Sequence, residues 1–133
     1  MTRTATFNGV NLSTHALITD WSGLLTPPPF DGEVIEYDWQ PAADWEPGEF
    51  DAYTIDVPLL MRSQDMDTAI GDAAAIAALV DGQEHTLTRT YTPHGVTVTE
   101  SVQAVMTGAT PVPDFEALQV RLVCLFQVLS QWT

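Results

Sequence analysis

The sequence predicts a mainly β domain, a β-sandwich or open barrel flanked by a single helix at about residues 65–80. Three observations carry that expectation. Residues Thr86–Tyr91, Val96–Met106 and Phe115–Leu129 read as three consecutive strands. Phe50–Arg62 alternates strictly, with Tyr53, Ile55, Val57, Leu59 and Met61 on one side. One segment only, Asp65–Val80, carries apolar residues at helical spacing. A chain of 133 residues is long enough for one domain and one sizeable core.

Taken in order, Ala5–Leu12 reads as a strand broken at Asn8-Gly9, because both residues tolerate positive φ in a two-residue hairpin turn. His15–Leu25 reads as a second strand, with Ala16, Ile18 and Trp21 inward. Pro27-Pro28-Pro29 then stops regular structure by removing donors and fixing an extended backbone. The stretch Pro29–Gly48, within a loop at about residues 26–49, is expected to be irregular. Within it Asp31-Gly32 offers a turn and Glu33–Trp39 a short edge strand. Pro58 cannot donate a ladder hydrogen bond, so the Phe50–Arg62 strand is expected at an edge or with a bulge.

In the helix, Met66, Ala69, Ile70, Ala73, Ile76, Ala77 and Val80 share a face, Ser63 or Asp65 caps the start, and Gly82 ends it. Pro93-His94-Gly95 makes a hairpin turn, and Gly108–Pro113 is expected as a second connection. In the last strand Leu118, Val120, Leu122, Cys124, Phe126 and Val128 form one face. The other face is apolar in its middle, which points to partial cover by the helix or a neighbouring subunit. The sequence contains no internal repeat.

Charge excludes several functions. Eighteen acidic residues against 4 basic ones give a net charge of −14, and all four cations are arginines: Arg3, Arg62, Arg89 and Arg121. Such a chain lacks the basic patch that nucleic-acid affinity requires and is repelled by an anionic membrane. An acidic wall does suit a conduit through which DNA slides without sticking, although acidity also simply keeps a protein soluble. No apolar run approaches the roughly 20 residues of a membrane span. The opening Met1-Thr2-Arg3-Thr4 lacks the pattern of a secretory leader, so a soluble, unsecreted chain is expected.

The residues that carry chemistry are sparse. Cys124 is the sole cysteine and lies in an apolar run, as a buried hydrophobe would. His15, His85 and His94 are far apart, without metal-ligand spacing, and His85 and His94 read as surface residues. No GxSxG, GxGxxG or P-loop pattern is present. No cofactor, metal or catalytic role is expected. The acids Glu33, Glu36 and Asp38 lie near Tyr37 and Trp39, which a carbohydrate site, a calcium loop or a two-carboxylate hydrolase would use. The order of an EF-hand loop is missing. An oligomer contact uses the same combination: Phe30, Tyr37, Trp39, Trp45 and Phe50 are the candidate anchors. Glu33, Glu36, Asp38, Asp44 and Glu46 are the candidate acidic or lumen surface.

The element order is an opening Phe7-Asn8-Gly9, a Pro-rich loop with Asp31-Gly32, a strand ending VPLLMR, a helix, a hairpin, and a last strand closing at Gln131-Trp132. This order resembles the tube-like domain of tailed-phage tail proteins, above all the distal tail protein that rings the tail tip. The motifs are carried by Phe7, Asn8, Gly9 and Trp132, and the resemblance spans most of the chain through element order. It implies a structural virion protein of the tail, made in the host cytoplasm. Its subunits form a ring, commonly a hexamer, around a DNA-conducting lumen and contact other tail proteins. Many distal tail proteins carry a second, C-terminal domain absent from these residues. That leaves open a tail-tube, terminator, connector or other minor tail protein. The alternative is a small carbohydrate- or ligand-binding β domain using Tyr37, Trp39 and Trp45.

Overall fold

The structure is a computed structural model describing residues 3–27, 29–35 and 44–133; between residues 30 and 50 it describes backbone only. Asn8 and Gly9, at φ 50° and 77°, turn β1 (Thr4–Phe7) into β2 (Val10–Asn11) as the dipeptide predicts. Asn11, paired with Thr6, is the last residue of that ladder. Its side-chain oxygen accepts from Ser13 N–H at 2.9 Å and caps a one-turn helix, α1 (Leu12–His15).

Of the strand expected over His15–Leu25, only β3 (Leu17–Ile18) forms. Asp20 ends it, accepting from Ser22 N–H at 2.9 Å and from the Ser22 hydroxyl at 2.6 Å, and a second one-turn helix, α2 (Ser22–Leu25), follows. The small polar side chains offer the backbone local hydrogen bonds that outcompete strand pairing. The mainly β class with a flanking helix stands, and these two one-turn helices are additions to it.

The described parts of Pro29–Gly48 are not irregular. They form β4 (Phe30–Ile35) and β5 (Asp44–Phe50), an antiparallel ribbon separate from the main sheet. Phe30 pairs with Phe50 and Val34 with Trp45, and Asp31-Gly32 makes a ladder irregularity instead of a turn. The ribbon is hidden in the sequence because Gly32, Pro47 and Gly48 interrupt it and its acids have low β-propensity.

The main sheet is β6 (Tyr53–Arg62), β7 (Glu84–Tyr91), β8 (Val98–Asp114) and β9 (Gln119–Val128) with the N-terminal strands, in the order β2-β1-β7-β8-β9-β6-β3. All pairings are antiparallel and the sheet curls into a half-barrel. Pro58 sits one strand in from the edge. Its carbonyl accepts from Thr19 N–H at 3.0 Å, so its donorless nitrogen faces the two-residue β3 and leaves the β9 ladder intact. Gly108–Pro113, expected as a connection, continues β8. A bulge between Met106 and Gly108 absorbs one residue and breaks the period-2 pattern there.

The core lies between the inner sheet face and α3 (Met66–Ala77). Asp65 caps α3, accepting from Asp67 N–H at 3.1 Å. Ala69, Ala73 and Ile76 are buried against β6, β8 and β9, whereas Ile70 and Val80 of the expected face are exposed. Small side chains let the helix lie close, which narrows its buried stripe. Phe7 and Phe126 meet edge to face at 5.0 Å across the curl, and Leu122, Cys124 and Val128 are fully buried on β9. Each such large side chain contributes about 1.5–3 kcal/mol by burial.

Leu122→Ala is expected to cost about 2–5 kcal/mol, read as a lower urea midpoint at unchanged slope. Two glycines separate close packing from propensity. A Cβ on Gly23 would collide with the Asp56 carbonyl oxygen, whereas one on Gly71 meets nothing within 4 Å in mid-helix. Gly23→Ala is expected to lower the melting temperature. Gly71→Ala is expected to raise it, by about 0.5–1 kcal/mol of stability.

Candidate interaction surface

The described residues hold no grouping of three or more histidine, cysteine or acidic side chains placed for a metal ion. Cys124 is fully buried, and burial pushes its thiol pKa up to about 12, so it packs as a hydrophobe. His94 is exposed in its turn at φ 51°. His85 departs from the surface reading: it is half-buried, edge-on to Phe7 at 5.6 Å, with Nε2 2.8 Å from Asp81 Oδ2. His15 Nδ1 lies 3.3 Å from Asp72 Oδ1 and ties α1 to α3. Among the described residues no helix is long and apolar enough to cross a membrane.

With 4 cations in the chain, the place of each arginine defines the surface. Arg3 stacks over Trp21 at 5.4 Å. Arg89 is spent internally. Its Nη2 lies 2.9 Å from Glu100 Oε1, its Nη1 donates to the Leu24 carbonyl, and its guanidinium lies 4.0 Å from the centroid of the Trp132 ring. Trp132 Nε1–H donates to Tyr53 Oη at 3.2 Å, and Tyr53 in turn donates to the Thr26 carbonyl. One cation thus binds α2, β7, β8 and the C-terminal segment together.

The other two arginines sit side by side. β6 pairs with β9 so that Leu60 faces Arg121 and Arg62 faces Gln119. Arg62 Nε–H donates to Gln119 Oε1 at 3.3 Å, and among the described residues neither arginine has a carboxylate partner. They border a cavity of about 380 Å³ on the outer sheet face, floored by Pro58, Leu60 and Val123. A second cavity of about 430 Å³ shares Pro58 and Val123 and runs on beneath α2. The middle of the outer β9 face, Val123 and Leu125, is exposed at 39% and 36%. The helix lies on the opposite face and leaves this one open.

The structure places the sequence-derived candidates differently. Phe30 and Glu33 fall on β4, and Asp44, Trp45, Glu46 and Phe50 on β5. Glu33 and Glu46 are direct register partners. The side chains of these six, and the whole of Glu36, Tyr37, Asp38 and Trp39, lie outside the described residues. The arginine-bordered trough was missed. Its only sequence signal is that Arg62 and Arg121 both fall on the outward positions of alternating strands, and that signal becomes a site only once β6 and β9 are known to be neighbours.

No protein-family model and no curated protein matches this chain. Among solved structures, the fold matches that of the SPP1 Dit protein, described as a paradigm of the hub adsorption apparatus in phages infecting Gram-positive bacteria. The TM-score is 0.65 at 10% sequence identity, over 98% of this chain and 51% of that one. The chain therefore spans about half the length of the protein it matches. At that identity the likeness to this phage protein is one of fold.

The Arg89–Glu100 pair makes stability pH-dependent. The Arg89 hydrogen bond holds the Glu100 carboxyl below its ordinary value of 4.5 and outweighs the opposing effect of burial. A depressed folded-state pKa contributes stability above the unfolded value, and this is lost as pH falls through the folded one. Glu100→Gln is therefore expected to melt below wild type at pH 7, with the gap closing below about pH 4.5, the ordinary glutamate value. A gap independent of pH in thermal melts would contradict this.

Proposed function

We propose that this chain is a structural subunit of a tailed-phage tail. In this reading it forms a ring at the distal tail, tail tip or tube, with DNA passing through the lumen and other tail proteins above and below. The observation that supports it most is the fold match, over nearly the whole chain, to a phage hub adsorption apparatus protein. The six-fold ring comes from the family resemblance.

The physical chemistry agrees with that role. A net charge of −14 suits a surface past which DNA must move without binding. The cations that could hold phosphate are few, and Arg89 is engaged by Glu100. Two cavities and an open apolar strip on the outer sheet face leave surface for protein contacts. A structural role is in keeping with a buried thiol and three histidines far apart in sequence.

Immunogold labelling of purified particles from a phage carrying this gene is expected to mark the tail. Mass spectrometry of the same particles should find the chain in a small fixed copy number. Absence from purified virions would sink the reading.

A further inference from the structure

We infer that the trough bordered by Arg62 and Arg121 receives the acidic β4–β5 ribbon of a second copy of this chain. The inference rests on the tail-subunit reading and names the contact that would join adjacent subunits.

Charge is the first argument. In a chain carrying 18 carboxylate side chains, two copies repel unless cations are concentrated where they touch. Arg89 is consumed by Glu100, whereas Arg62 and Arg121 stand together without a carboxylate partner among the described residues. Both are exposed, beside an apolar floor of Pro58, Leu60 and Val123. That combination fits an acidic segment that also carries apolar side chains.

The ribbon is such a segment. Its two strands contain Asp31, Glu33, Asp44, Glu46 and Glu49, no basic residue, and three aromatics. Glu33 and Glu46 share one register position, where like charges destabilise a ladder. A two-stranded ribbon outside any larger sheet is only marginally stable in water. Cations supplied from outside relieve both problems.

Geometry makes the donor another copy. The ribbon's base, where Phe30 pairs with Phe50, adjoins Tyr53 at one end of β6. Arg62 is at the other end, nine residues on, or about 30 Å along the strand. Glu33 lies three residues from the base, about 10 Å out. A ribbon at one end and its receptor at the other make a head-to-tail contact, the kind that closes a ring when the rotation per subunit allows.

Light scattering and sedimentation velocity on the full chain test the pairing. Wild type is expected to self-associate as concentration rises. Arg62→Glu with Arg121→Glu should weaken association at least about tenfold, and Glu33→Lys with Glu46→Lys likewise. An equimolar mixture of the two double variants should recover complex formation, because the ribbon-reversed variant supplies an intact trough and the trough-reversed variant an intact ribbon. Circular dichroism checks folding, with Arg62→Gln and Arg121→Gln as a milder pair. A wild type that stays monomeric, a charge-reversed trough that associates normally, or a mixture that fails to recover overturns the inference. Association surviving both reversals would place the contact outside the trough and so overturn the inference. The tail assignment fails separately, by absence of the chain from virions.

Discussion

The fold depends on the central position of its last strand. All ten residues of β9 pair with β6 on one side, and the same strand pairs with the far end of β8 on the other. The sheet order places β9 between segments that precede it by some 60 residues and by a few, so the half-barrel closes only when the C-terminal segment arrives. Chain entropy opposes that arrival, because long-range pairing must be established before its contacts stabilise anything. Burial offsets it: Val120, Leu122, Cys124, Phe126 and Val128 form an unbroken inner face, and Phe126 meets Phe7 from the opposite end of the chain. Beyond β9, Leu129 N–H donates to the Gln103 carbonyl, and Thr133 exchanges hydrogen bonds with Ser101. The closing segment is thus tied to β8 nearly to its end.

The sequence makes some of this legible and conceals the rest for identifiable reasons. Strict alternation marks β6 and β9, and the Asn8-Gly9 turn is visible because positive φ is permitted to so few residues. The helix is legible from its spacing, although its buried stripe is narrower than the pattern and leaves Ile70 and Val80 exposed. What fails is alternation interrupted by geometry. The bulge after Met106 hides the far half of β8, and the local hydrogen bonds of Asp20 to Ser22 leave only two residues of the expected His15–Leu25 strand, followed by a one-turn helix. The outer trough is invisible for a different reason: it belongs to no segment and arises from adjacency of β6 and β9, which only the fold provides.

Arginine placement links fold to surface. A chain with 4 cations cannot use them loosely. Arg89, inward among Glu100, Trp132 and the Leu24 carbonyl, holds three remote segments where apolar packing alone would leave a polar seam. A half-buried cation of this kind contributes through the geometry it enforces, because partial desolvation offsets some of the Coulomb gain. Arg62 and Arg121 stay outward on a sheet face whose other side is committed to the core. Among the described residues, the division leaves two adjacent outward arginines on the outer sheet face of an acidic chain.

The long β8–β9 hairpin shows how the same chain limits unwanted assembly. β7 pairs with β8 only as far as Val105, so the remainder of β8 is an edge on that side. An open edge is a template for indiscriminate strand addition. Pro111 and Pro113 occupy alternate positions along this edge and share one side of the strand. Their partners on β9 are Leu122 and Val120, and the ladder to β9 persists through both. The missing donors therefore face away from β9, toward the open side, where a docking strand would find no N–H to accept from. With edge pairing blunted there, any partner must be recognised through side chains, and side chains, unlike a bare backbone edge, can discriminate one surface from another.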